Sequence, residues 1–198
     1  MKRTITILIS ALLLFILSAC NNNSNTISVA ELTEREVAIL DSTSNHSFVF
    51  DFNLDKEYKE VTVWIEKYES GNLVEDKIGE FTTNVEDDGT MIFTTAKTNP
   101  TQFNIAINSK EGGGSVNAYD QNTNNLDDRA NVQSYFKGEN ISIEEEIVLG
   151  SICYPKDRNM NSLSSDFYED VDGHLNELEK YDVVYLFKAD FTKWVKSF

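Results

Sequence analysis

From Ser47 onward the chain alternates. Phe48, Phe50, Phe52 and Leu54 fall on one side of an extended segment, and Val49, Asp51 and Asn53 on the other, which is the period of a half-buried strand. The run Val61 to Tyr68 alternates in the same way. With Leu54 to Tyr58 as the connection, the two runs predict an antiparallel pair. Ser70-Gly71-Asn72 reads as a turn and Leu73 to Thr83 as a third strand broken near Gly79. Asp87-Asp88-Gly89 reads as a tight hairpin in which the glycine takes positive φ. Met91 to Ala96, Gln102 to Asn108 and Ser115 to Tyr119 add three short strands, separated by Thr98-Asn99-Pro100 and Glu111-Gly112-Gly113-Gly114.

Asp120 to Asn131 is a polar loop, after which Ile141 to Tyr154 predicts a long strand whose alternation breaks at Glu144-Glu145-Glu146. The segment Asp182 to Phe191 is apolar on both faces at its centre, as an interior or covered strand is. Helical signals are fewer. Thr33 and Glu36 fit a capping box that opens a helix from about Leu32 to Leu40. Phe167, Val171, Leu175 and Leu178 recur at helical spacing behind Ser164-Ser165-Asp166. Short strands at intervals of roughly 10–12 residues, with turns between them and no intervening helices, predict an all-β architecture. The expected fold is a single antiparallel β-sandwich, immunoglobulin-like or jelly-roll-like, over residues 28–198, with one or two short helices.

The first 27 residues follow a different pattern. Lys2 and Arg3 precede an apolar run from Ile5 to Leu17, interrupted only by Thr6 and Ser10, in the manner of a secretory signal. The run is shorter than the ~20 residues of a bilayer span. It ends in Leu17-Ser18-Ala19-Cys20, and Asn21 to Thr26 is an Asn-rich polar tract that reads as a flexible tether.

Basic start, apolar run and terminal Leu17-Ser18-Ala19-Cys20 together resemble the lipobox signal of bacterial lipoproteins. The resemblance implies that residues 1–19 are removed and that Cys20 carries a diacylglyceryl group. It would place the protein at the extracytoplasmic face of the cell membrane, tethered through residues 20–27. Two acyl chains satisfy the two-signal requirement for stable anchoring. In style the whole chain also resembles small surface lipoproteins of Gram-positive cells, a resemblance that assigns no further residue a role.

Composition narrows the partners. The 198 residues carry a net charge of −16, and loss of Lys2 and Arg3 would make that two units more negative. Such a chain repels phosphate backbones, and its seventeen Lys and Arg form no basic block, so nucleic acid is not an expected partner. Apart from Cys20 the chain has a single cysteine, Cys153, so no internal disulfide is expected. The alternation places Cys153 on one face with Ile147 and Leu149, as a buried small hydrophobe.

Candidate chemistry is sparse. The two histidines, His46 at a turn and His174 within the predicted helix, read as solvent-facing. No nucleophile elbow, His-Glu-x-x-His helix or phosphate-binding glycine loop is present, and no cofactor is expected. Asp120, Asn122 and Asn124 resemble the opening of a calcium loop, but Asn125 and Asn131 stand where the pattern has glycine and glutamate. Asp170-Val171-Asp172-Gly173 is a weaker fragment of the same kind. Trp64 and Tyr68 share a strand face with Thr62 and Glu66. That face is either an aromatic platform for sugar rings or part of the core. The function expected from the sequence is a lipid-anchored, non-enzymatic module that binds an envelope protein or glycan. A carboxylate hydrolase of envelope polymers is the alternative.

Overall fold

The computed structural model describes residues 25–110, 112–121, 126, 129–136, 141–143, 146–157 and 160–193. Among the described residues are eleven strands and a few helical segments, in the order β1 (Thr26–Val29), α1 (Glu34–Thr43), β2 (Ser44–Asn53), β3 (Tyr58–Glu69), β4 (Asn72–Asn84), β5 (Asp88–Ala96) and β6 (Asn99–Ser109). β7 (Gly113–Tyr119), β8 (Val132–Tyr135), β9 (Ile141–Ser142) and β10 (Ile147–Pro155) follow, then α2 (Ser165–Glu169), α3 (Val171–His174), a 3-10 turn (Leu175–Lys180) and β11 (Tyr181–Lys193). They form two antiparallel sheets packed face to face, one ordered β7-β6-β5-β2-β1-β9 and the other β4-β3-β11-β10-β8. The fold is the mainly β sandwich that the strand spacing predicts.

Its core is the set of inward residues of both sheets. Phe48 and Phe52 of β2 meet Phe187 and Phe191 of β11 across the gap, and Phe50 and Tyr185 belong to the same buried cluster. Phe187 sits at the centre of an aromatic cluster, its ring centroid 4.8 Å from Phe48 and 5.2 Å from Phe93. The outer face of the second sheet is also buried at one end, where Leu163, Phe167 and Leu178 of the helical segment pack on Tyr68, Val148, Cys153 and Leu186. This second layer explains why β10 is buried at all nine positions and why β11 is apolar on both faces.

Several boundaries differ from the sequence expectation. The expected β2–β3 pair does not form, because the two strands lie in different sheets and residues 54–57 cross between them. Alternation reports which face is buried and not which strand is the neighbour. The segment Asp87-Asp88-Gly89 is likewise a crossover from β4 to β5 and not a hairpin. Asp87 takes the positive φ, 53°, while Gly89 pairs opposite Phe52. There a Cβ would come within 2.1 Å of the Phe52 ring, so close approach and not turn geometry requires the glycine. In place of one long strand from Ile141 there are two, β9 ending at Ser142 in the first sheet and β10 starting at Ile147 in the second.

The single helix expected near Phe167 is three short turns, broken at Asp170, whose φ and ψ of −144° and 84° are not helical. β8 had no clear sequence signal, being four residues long. The first strand begins at Thr26, inside the expected tether, with Ile27 fully buried. The capping box forms as predicted, Glu36 accepting from the Thr33 amide at 2.7 Å and the Thr33 hydroxyl from the Glu36 amide at 3.4 Å.

The sandwich has two distinct ends. One carries Asn25, the 54–57 and 85–87 crossovers, the β6–β7 turn and the end of β11. The opposite end carries the β3–β4 turn and the helical segment, so close that a Cβ on Gly71 would meet Glu179 at 2.7 Å.

Candidate functional site

On β1, β2, β5 and β6 polar outward positions alternate with apolar inward ones such as Ile27, Phe50, Phe52, Met91 and Ile107. Pairing aligns Ser28 with Asp51, Asp51 with Thr90 and Thr90 with Asn108, so four polar side chains stand in one row across four strands. A second row, Thr26, Asn53 and Asp88, lies beside it. Together they floor an open groove of about 530 Å³, with Lys110 at its rim. Thr90 donates to Asp51 at 2.8 Å, Asn53 donates to Asp88, and Lys110 pairs with Asp87 at 3.3 Å. Hydroxyls, amides, carboxylates and one ammonium converge here, a surface suited to hydrogen bonding rather than to stacking.

A smaller and more apolar cleft of about 280 Å³ adjoins the groove and shares Asp51 and Thr90 with it. It lies between α1, through Leu32, Ile39 and Leu40, and the sheet positions Val49 and Ile92. Helix α1 buries none of its residues and leaves Ile39 55% exposed.

The residues singled out from the sequence are placed elsewhere. Trp64 is 5% exposed and Tyr68 9%, so neither ring offers a stacking face. Lys77 and Lys188 hold their ammonium groups 5.9 and 5.7 Å from the Trp64 ring centroid, within cation–π range. Lys188 also pairs with Glu66 at 2.8 Å and with Glu146. The Tyr68 hydroxyl donates to Glu66 at 2.9 Å, and burial, then the Glu66 charge, pushes its pKa up.

Asp120 is not a loop ligand. Its side chain is fully buried, pairs with Lys67 at 2.9 Å and accepts from the Tyr185 hydroxyl at 2.7 Å, joining the end of β7 to the second sheet. Burial alone would pull the Lys67 pKa down, but bonds to Glu69 and Asp120 outweigh it and hold the value above that of an ordinary lysine. Asn122, Asn124 and Cys20 lie outside the described residues. Among the described residues no three His, Cys, Asp or Glu side chains gather to hold a metal ion.

His46 is buried, not solvent-facing. Its Nδ1 lies 3.0 Å from the Thr95 hydroxyl and its Nε2 2.7 Å from Asn131 Oδ1. Burial lowers its pKa, partly offset by the Asn131 bond, so the ring is neutral at pH 7. His174 is half-buried, its Nδ1 2.8 Å from the Asp170 carbonyl. Cys153 is buried, but on the face opposite Ile147 and Leu149, against Phe167 and Leu178. A bulge between Val148 and Gly150 inserts one residue and reverses the alternation. Burial pushes the Cys153 thiol up to about 12.

A family model described as the YgaN domain matches residues 26–191, a span that opens on the first residue of β1 and closes inside β11. The chain belongs to the YgaN domain family. No curated protein and no solved structure matches it. The YgaN domain thus coincides with the sandwich, includes every groove residue, and leaves Cys20 outside it.

Half of the groove's signal is present in the sequence. Asp51 and Asn53 are the polar half of the same alternation that placed Phe50 and Phe52 in the core. What one strand could not show was that Thr90, Asp88 and Asn108 stand beside them.

Proposed function

We propose that the protein is a lipid-anchored, extracytoplasmic binding module, non-enzymatic, that holds an envelope glycan or protein in the polar groove of its first sheet. The observation that carries the reading is the double row of Ser28, Asp51, Thr90, Asn108 and Thr26, Asn53, Asp88 on an open sheet face. Its supports are the Leu17-Ser18-Ala19-Cys20 lipobox and the commitment of His46, Cys153, Asp120 and Glu66 to internal contacts. Groups so engaged and buried are poorly placed to act on a substrate.

Anchoring is tested by palmitate labelling and membrane fractionation of the wild type beside Cys20→Ala. Label and membrane association should both be lost in the variant, and retention of both would sink the anchor. Asp51 and Asp88 in one groove favour the carboxylate hydrolase as the second reading. Purified envelope polymer separates the two. A binding module retains it without releasing fragments, and Asp51→Asn weakens retention, whereas a hydrolase releases fragments and Asp51→Asn abolishes release.

A further inference from the structure

We propose that the ligand of the groove is a glycolipid, a neutral sugar head on an alkyl arm, with the head in the polar groove and the first carbons of the arm in the apolar cleft under α1. The assignment rests on the groove as a binding site and narrows its ligand to one chemical class.

Groove and cleft lie on one continuous sheet face whose polarity changes in steps. Along β2 and β5 the outward pairs are Val49 with Ile92, Asp51 with Thr90, and Asn53 with Asp88, so the surface passes from apolar through mixed to polar. Four residues separate Val49 from Asn53, about 14 Å at ~3.4 Å each. The neighbouring strands keep the same order. The Ala30 amide donates to the Val49 carbonyl at 3.0 Å and Ala106 pairs with Ile92, which extends the apolar row, whereas Ser28 and Asn108 extend the mixed one. One step beyond the apolar row the face is polar again, with Ser47 opposite Thr94 and Thr94 opposite Asn104. The row is thus an apolar band on an otherwise polar face.

Helix α1 roofs this band without filling the space above it. None of its residues is buried, and Ile39 lines the cleft while remaining 55% exposed. A helix that only shielded Val49 and Ile92 from water would bury its own apolar side chains against them. Instead about 280 Å³ stays open between helix and sheet. That falls short of the ~300–1,000 Å³ of small-molecule sites, a range that includes the groove at about 530 Å³. The cleft therefore fits an appendage of a ligand held next door, and Asp51 and Thr90 belong to both spaces.

Charge selects the head. The groove presents Asp51 and Asp88, while Lys110, the one ammonium among its lining residues, is engaged with Asp87 at 3.3 Å. Glu31 and Glu36 line the cleft. A phosphate or carboxylate head meets repulsion on such a surface. Sugar hydroxyls instead donate to the carboxylates and accept from Ser28, Thr90 and the Asn108 side-chain amide.

Alkyl glucosides of increasing chain length, from methyl to dodecyl, test the assignment at concentrations below micelle formation. They are titrated against the full chain carrying Cys20→Ala, so that no acyl group of its own competes. Amide NMR shifts are the readout, and circular dichroism checks that each variant folds. Methyl glucoside should shift Asp51, Thr90 and Asn108. Each added methylene should tighten binding roughly fourfold and bring in shifts at Ile39, Leu40 and Ile92, until the cleft is full and the affinity levels off. Ile39→Asp should flatten the series and Ile39→Leu restore it. Leu73→Asp, at an exposed apolar position of the other sheet, should leave the series as in wild type.

Binding of methyl glucoside with no gain from the arm, or a gain that survives Ile39→Asp, overturns the glycolipid and leaves the groove as a sugar site. Binding of no member of the series removes the groove as a sugar site and the glycolipid with it.

Discussion

Lys67→Met should destabilise the sandwich by about 3–5 kcal/mol, the cost of leaving one charge of a buried pair without its partner. The Lys67 side chain is 2% exposed and that of Asp120 fully buried, 2.9 Å apart. After the substitution Asp120 keeps the Tyr185 hydroxyl at 2.7 Å but loses the ammonium. Asp120→Asn should cost less, about 1–3 kcal/mol. Lys67 then retains Glu69 at 2.8 Å, and the amide oxygen still accepts from Tyr185. Replacing both residues, as Lys67→Met with Asp120→Asn, removes both charges, leaves the amide oxygen to accept from Tyr185, and should recover most of the loss, since neutral replacement of a buried pair is often tolerated. Urea denaturation followed by tryptophan fluorescence measures all the variants, and the double-mutant cycle isolates the coupling. A Lys67→Met cost below about 1 kcal/mol, which is that of an exposed pair, would refute the reasoning. So would a double variant as unstable as the sum of the singles.

Three further outcomes follow from the packing. His46 has a folded pKa below its unfolded value, so the unfolded chain takes up a proton first as pH falls. The stabilisation is present above the ordinary histidine pKa and is lost on descent through it toward the folded value. Wild type should therefore lose more stability than His46→Gln between pH 7.5 and 5.5, and parallel losses in paired melts would contradict this. Cys153 should resist a thiol-specific reagent in the native state and react fully in urea, because its thiol is buried with its pKa raised to about 12; rapid native labelling would show an opening absent from this packing. Gly79→Ala should cost about 1–3 kcal/mol, since its φ is +66° and a Cβ would lie 2.5 Å from that of Ala118 where β4 crosses β7. A thermal melt unchanged by that substitution would remove the constraint.

Local pattern and long-range pairing were legible to different degrees. The period of two in Phe48 to Leu54 and the Thr33–Glu36 capping box are properties of a few adjacent residues, and both are present in the fold. The partner of each strand is not such a property. Residues 54–57 can close a hairpin or step between sheets with the same composition, and burial of Leu54 decides for the step. Cys153 shows a subtler limit, since one bulged residue at Leu149 reverses every later assignment on the strand. Trp64, Asp120 and His46 were picked out as chemistry-bearing types, yet each is consumed by the interior: Trp64 between two lysines, Asp120 by Lys67 and Tyr185, His46 by Thr95 and Asn131. The groove escaped notice because its residues are ordinary Ser, Thr, Asn and Asp. Their significance lies in a row that exists only after four strands have paired.

The binding claim is most directly tested by photo-crosslinking in intact cells from Asn108, on the floor of the groove, with Glu80 on the exposed face of β4 as the control position. The account predicts a discrete adduct with one envelope glycan or protein from Asn108, none from Glu80, and loss of that adduct when Asp51→Asn and Asp88→Asn are combined. Identical adducts from both positions, or an Asn108 adduct that survives the double substitution, would contradict it.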